Sequence, residues 1–203
     1  MKKIFVIFGI IAFAAVSAFL VFKNLSSETL GNKAVVIEGT EIALLSEAPS
    51  GWVLDRKSAE SMGICALYTL ENRNFDTSPL LIYPRLASKG GDEAIAASVL
   101  ELSTIYRNHS DKFVLEEKAD FTTKLGQTFK VRYYLNGPAP RSFEAVAYLT
   151  YKERLYISVY SATNQDDFLN GVRSFYEYLE SVSPYAQPLN GADKCYYPTE
   201  TSR

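Results

Sequence analysis

The chain is 203 residues long, 47% hydrophobic, 22% charged and 13% aromatic, with a formal net charge of −2 and a single histidine. That length and balance describe one globular domain with an N-terminal extra, and exclude a disordered or fibrous chain. The mild acidity argues against nucleic acid as a partner, and one histidine excludes a multi-histidine metal site.

Residues 1–22, MKKIFVIFGIIAFAAVSAFLVF, place Lys2 and Lys3 before an uncharged apolar run that Lys23 closes. A basic start followed by such a run is an export signal, read either as an uncleaved single-pass membrane anchor or as a signal peptide cleaved after small residues near Ala15 and Ser17. The folded part is therefore expected outside the cytoplasm, anchored in the inner membrane and facing the periplasm, or periplasmic or secreted after cleavage. Residues 23–33 read as a polar linker, residues 34–185 as one domain and residues 186–203 as a C-terminal tail.

Within the domain, Ala34–Ile37 and Ile42–Leu45 flank a turn at Glu38-Gly39-Thr40, a hairpin signal. Pro49-Ser50-Gly51-Trp52 reads as a loop presenting the only tryptophan. A short helical turn over 56–62 ends at Gly63, a C-cap residue. Strands are expected at Ile64–Leu70 and Pro79–Leu86. The first long helix opens at Asp92, read as its N-cap, with Ile95, Val99, Leu102 and Tyr106 in one apolar stripe. Three alternating segments follow, 127–135, 143–151 and one centred on Leu155, Ile157 and Val159. Their period of two marks an antiparallel meander. Asn164 then caps a helix over 165–182, whose seam is Phe168, Val172, Phe175, Leu179 and Val182. This order predicts an α+β fold, an antiparallel sheet flanked by helices.

Cys65 lies in an apolar run and Cys195 in the tail. In an oxidising compartment the even count invites a disulfide between them. Two inert thiols, or a Cys65 nucleophile served by His109, are the alternatives.

The order of elements resembles the PsbP-like and Mog-type proteins. The likeness is carried by Pro-Ser-Gly-Trp at 49–52, the pair GICALYTL and SPLLIYPR around a polar loop, and Gly-Asp-Glu-Ala at 91–94. LGQTFKVRYYL at 125–135 and RLYISVYSATNQDDFLNGVRSFYEYLESV complete it. The resemblance spans about residues 35–183 and is one of layout, with few fixed residues. It implies an α/β/α sandwich and a non-catalytic binding or assembly factor. The photosynthetic members carry a different leader, because the first segment here lacks the arginine- and serine-rich character of a transit peptide.

Little in the chain advertises chemistry. His109, within Asn108-His109-Ser110-Asp111, is a general-base candidate only if Asp111 orients it, and otherwise a solvated histidine at a helix end. No nucleophile elbow, P-loop or dinucleotide fingerprint occurs. Glu116-Glu117 and Asp166-Asp167, with Asp55 and Asp120, lack the spacing of a calcium loop. No cofactor is called for, and no enzymatic activity is expected.

The fourteen tyrosines are the informative excess. Tyr134, Tyr148, Tyr156 and Tyr160 are expected together on the less apolar face of the long strands, either as an interaction face or beneath a covering helix with their hydroxyls bonded. Trp52 and Arg56 form a second candidate patch. The expectation is an exported binding or assembly module docking on an envelope or membrane protein. The alternative is a small-molecule or lipid carrier with a pocket between sheet and helix lined by Phe129, Tyr133 and Phe175.

Overall fold

The computed structural model describes residues 34–38, 42–87, 89–185 and 193–196. The segment read as export signal or anchor, the linker and most of the tail lie outside the described residues. Among the described residues, no helix is long and apolar enough to cross a membrane.

The chain opens with β1 (Ala34–Glu38) and β2 (Ala43–Glu47), the expected antiparallel pair, with Val35 opposite Ser46 and Ile37 opposite Leu44. Next come β3 (Trp52–Leu54), α1 (Arg56–Met62), β4 (Tyr68–Leu70) and β5 (Leu80–Ala87). The long α2 (Asp92–His109) leads into two short strands, β6 (Val114–Glu117) and β7 (Phe121–Thr122). Then follow β8 (Thr128–Leu135), β9 (Phe143–Tyr151), β10 (Arg154–Ala162) and α3 (Gln165–Ser181). The chain closes with β11 (Ser183–Pro184) and β12 (Asp193–Tyr196).

Two sheets result. The larger runs β3-β4-β5-β10-β9-β8-β6, with β7 paired to β8, and is antiparallel throughout. The smaller runs β11-β2-β1-β12, and there β12 lies parallel to β1, with Ile37 opposite Cys195. Four tail residues thus join the sheet of the domain, because β1 is paired by β2 on one side only and its other edge can accept a strand.

Strand alternation sorts the larger sheet into two faces. Phe129, Val131, Ala145, Ala147, Leu149, Tyr156 and Tyr160 pack with α3 and the smaller sheet into the main core. On the opposite face, Val146, Leu155 and Val159 pack beneath α2, whose stripe Ile95, Val99, Leu102 and Tyr106 is the one expected. The small α1 sits over Leu67 and Leu81 on that same side. The architecture is the expected α+β sandwich, with the smaller sheet as an added part of the α3 layer.

The ends of α3 are as its sequence dictates. The Asn164 side chain accepts from Asp167 N at 2.9 Å, and Asp166 and Asp167 occupy the first turn, where the helix dipole favours negative charge. The start of α2 differs from expectation. Asp92 is its first residue, and Gly91 precedes it at φ 99°, a conformation open to glycine, with its N–H donating to Thr150 Oγ1 at 2.9 Å. The strand expected over 64–70 is confined to Tyr68–Leu70, because its partner β3 is only three residues long.

Gly171 sets how closely α3 approaches the sheet. A Cβ there would run into Tyr160 Oη and lie 2.7 Å from Leu80 Cδ1. Tyr160 cannot easily retreat, since its hydroxyl donates to the carbonyls of Asp167 and Phe168 at 3.0 and 3.1 Å. Gly171→Ala is therefore expected to destabilise the domain by about 1–3 kcal/mol despite alanine's better helix propensity. A thermal midpoint equal to or above that of the parent in calorimetry would contradict this.

Candidate functional site

The tyrosines do not form an exposed face. Tyr134, Tyr148, Tyr156 and Tyr160 are each at most 1% exposed. They also lie on opposite sides of the sheet. Tyr148 is opposite Ile157 and Tyr156 is opposite Leu149, so this register puts Tyr148 with Tyr134 under α2 and Tyr156 with Tyr160 under α3. Their hydroxyls are satisfied internally. Tyr134 meets Tyr148 at 2.9 Å, and Tyr156 meets Tyr178 at 2.7 Å. Tyr68, on β4, meets Ser46 Oγ of the smaller sheet at 2.9 Å. Burial pushes the phenols of Tyr68, Tyr134, Tyr160 and Tyr178 above the ordinary tyrosine range, so these groups are neutral hydrogen-bonding struts, between layers for Tyr68, Tyr160 and Tyr178 and between the neighbouring strands β8 and β9 for Tyr134.

Trp52 is likewise corrected. It is not presented by a loop but begins β3, 2% exposed and within the main core. Arg56 is exposed at the start of α1. The pocket expected from Phe129, Tyr133 and Phe175 is filled. Phe129 and Phe175 are 0% exposed, and Tyr133 packs edge-on to Phe168 with its hydroxyl 3.2 Å from that of Tyr176.

Most of the residues weighed for chemistry have structural partners. His109 Nδ1 lies 2.7 Å from the Ile105 carbonyl, which ties the ring to its own helix, not to Asp111. Asp55 Oδ1 and Oδ2 accept from Ser58 N and Phe75 N, capping α1 and fastening the loop behind it. Glu116 pairs with Lys118 and Glu117 with Arg132. Among the described residues no group of three or more His, Cys, Asp or Glu is placed to hold a metal ion. Cys65 is disulfide-bonded.

What the structure opens is a groove of about 530 Å³ on the other side of the sheet from the expected pocket. It lies between α2 and the β8–β6 end of the larger sheet. Its helix wall is Asp92, Ala96, Val99, Leu100, Ser103 and Arg107, one side of α2 at spacings of about one turn. Its sheet wall is Leu115 and Glu117 of β6 with Lys130 and Arg132 of β8. The pairing of Glu117 with Arg132 across the two strands sets these side chains on one face. The volume is within the range of small-molecule sites. The walls are apolar at Ile95, Val99, Leu100 and Leu115, and Leu100 is 65% exposed.

Its polar groups are unevenly matched. Lys130 Nζ binds Asp92 Oδ1 at 2.8 Å, and Arg132 binds Glu117 and the Val131 carbonyl. Arg107, among the described residues, has neither ion-pair nor hydrogen-bond partner, and it is the single lining charge left over. Ser103 is 2% exposed, and its Oγ also has no hydrogen-bond partner. Native buried hydroxyls are nearly always bonded, commonly to the carbonyl one turn back in a helix.

No groove residue was read as part of a ligand site from the sequence: Ile95 and Val99 were read as core, Asp92 as a helix cap and Glu117 as one of a pair of adjacent carboxylates. The available signal was a second stripe on α2, Ala96-Leu100-Ser103-Arg107, beside the core stripe. Its small residues leave room that a larger pair would fill.

The fold and the groove define an α+β sandwich domain with a helix-walled cleft. No family model matches the chain, and no curated protein matches it. Among solved structures it is similar to cyanobacterial PsbP from Synechocystis sp. PCC 6803, with 15% identity and a TM-score of 0.45 over 75% of this chain and 93% of that one. It is also similar to the Ran-binding protein Mog1p of Saccharomyces cerevisiae, with 13% identity and a TM-score of 0.43 over 75% and 93% of the two chains. Both come from the groups whose layout the sequence resembles, and the likeness is one of fold.

Proposed function

We propose that the chain is a non-catalytic binding module whose ligand site is the groove beneath α2. The observation that carries this is the combination, in one cleft, of an apolar wall opened at Leu100 with a Ser103 hydroxyl and an Arg107 side chain that have no partner among the described residues. This moves the carrier reading ahead of docking through the sheet face, because the tyrosines that would form that face are covered. The setting proposed is outside the cytoplasm, attached through residues 1–22 or released from them. The disulfide at Cys65 supports an oxidising compartment. Cys195 is its proposed partner, the chain holding two cysteines in all.

The test is to purify the full-length chain from membranes, extract it with solvent and identify retained compounds by mass spectrometry. Ala96→Trp, at an exposed groove position, fills the cleft without touching the core. A compound enriched with the parent and lost from A96W is the expected result. Indistinguishable extracts from the two proteins would overturn the reading.

Docking on an envelope protein or complex keeps one specific support. β6 is the outer strand of the larger sheet, and Val114 at its start is 45% exposed, so a partner strand can add there. A photocrosslinker at position 114 that captures no protein in intact cells would remove this second reading.

A further inference from the structure

The charge left over in the groove identifies what kind of ligand it takes. Three cations and two carboxylates line it, and the carboxylates are already engaged by Lys130 and Arg132. Arg107 remains, with one positive charge to match. On the same side of α2, one turn earlier, is the buried Ser103 Oγ, which has no hydrogen-bond partner among the described residues. A guanidinium and a hydroxyl donor so placed call for acceptor oxygens carrying a single negative charge. The rest of the cleft calls for the opposite. Leu100, exposed, and the partly buried Val99 and Leu115 offer surface on which an apolar body would be withdrawn from water. A dianion such as a free phosphate monoester would leave charge unmatched, and a cation would meet Arg107.

We propose that the groove binds a single-chain amphipath with one monoanionic head, of the fatty-acid kind. The head is held by Arg107 and Ser103, and the chain runs along the α2 wall toward Ala96. This rests on the groove being the binding site and adds the chemistry of its occupant. Lys130 and Arg132 keep their own carboxylates and shape the far wall.

The test uses the full-length chain in zwitterionic phospholipid nanodiscs and a diazirine-bearing decanoate, with the corresponding alcohol as its neutral counterpart. After photolysis, adducts are mapped by peptide mass spectrometry. The carboxylate probe is expected to label segments 92–107 and 115–132. Arg107→Gln should reduce that labelling about tenfold or more, as expected for loss of a hydrogen bond to a charged group. Arg107→Gln should leave labelling by the alcohol unchanged. Ser103→Ala should weaken carboxylate labelling less than Arg107→Gln does. Arg107 has no partner to lose among the described residues, and a hydroxyl without a partner can be removed at little cost to folding, so both variants should remain folded.

A photoreactive lysophosphatidylglycerol separates two sources of the same chemistry. Labelling by the carboxylate alone assigns a free fatty acid, and labelling by both assigns any monoanionic single-chain lipid. Either supports the proposal. Groove labelling by the alcohol with no response of the carboxylate to Arg107→Gln would overturn the anionic head and leave the groove as a site. Absence of groove adducts from every probe would overturn both.

Discussion

Cys195→Ala is expected to lower the thermal midpoint of the domain by about 10 °C, with a matching loss when the parent is reduced. Cys65 is disulfide-bonded and lies just before β4, within the main core. With Cys195 as its partner the bridge closes a loop of about 130 residues, for which the chain-entropy model gives up to about 5 kcal/mol, and measured values are often lower. At about 2–4 °C per kcal/mol for a domain of this size, even 3 kcal/mol is readily seen. The effect should be local as well as global. β12 is held by pairing with β1, and without the bridge its hydrogen exchange should rise before that of β8 to β10. Calorimetry of the parent with and without reductant, alongside Cys195→Ala, decides the matter. Coincident melts in all three would show that the tail contributes nothing through a covalent tie.

The second large effect is a dependence of stability on pH set by Glu144. Its carboxylate is 7% exposed on β9, on the α2 side, where Tyr106 Oη donates to Oε2. Burial raises its pKa to about 7, while the Tyr106 hydrogen bond and the charges of Arg141 and Arg85 oppose the rise. Tyr134 and Tyr148 also lie near it, and burial raises both phenols above the ordinary tyrosine range, so neither is charged between pH 5 and 8. The proton is thus held more tightly in the folded than in the unfolded chain. Stability from this group is full below about pH 4.5, falls as pH rises toward 7, and is constant above. A shift from 4.5 to about 7 corresponds to about 3 kcal/mol. Glu144→Gln keeps an acceptor for Tyr106 and removes the titration. The parent should therefore lose stability relative to Glu144→Gln between pH 5 and pH 8, by about 2–3 kcal/mol in denaturant melts. A constant difference across that range would mean that Glu144 is ionised throughout in the folded protein. The position matters beyond stability, because Tyr106 is in the last turn of α2, beside Arg107 at the end of the groove.

What could be read from the residues in order was whatever is settled within a few residues of chain. The 3.6-residue seam of α3, its Asn164 cap and the acidic first turn are local, so its start was legible to the residue and its end to within one. The alternation of β8, β9 and β10 likewise marked strands with two distinct faces. The antiparallel α+β class followed from their order. Short strands without alternation were not legible. β6 has no apolar repeat, and β12 is a strand only because β1 presents an edge to it.

Tertiary structure alone decided which faces are covered and where space is left. Alternation says that Tyr148 and Leu149 point opposite ways, but only the register with β10 puts Tyr156 beside Leu149 and away from Tyr148. The tyrosine excess was therefore visible in the composition, while its use in buried hydrogen-bonded pairs, one within the sheet and one between sheet and helix, was not. The groove shows the same limit more sharply. Its walls come from residues 92–107, 115–117 and 130–132, brought together by the placement of α2 against the β8–β6 end of the sheet. Sequence specifies the stripes on each element through spacings of a few residues. Whether a stripe becomes core or cleft depends on the side chains that meet it from elsewhere, and among the described residues none hydrogen-bonds the Ser103 hydroxyl.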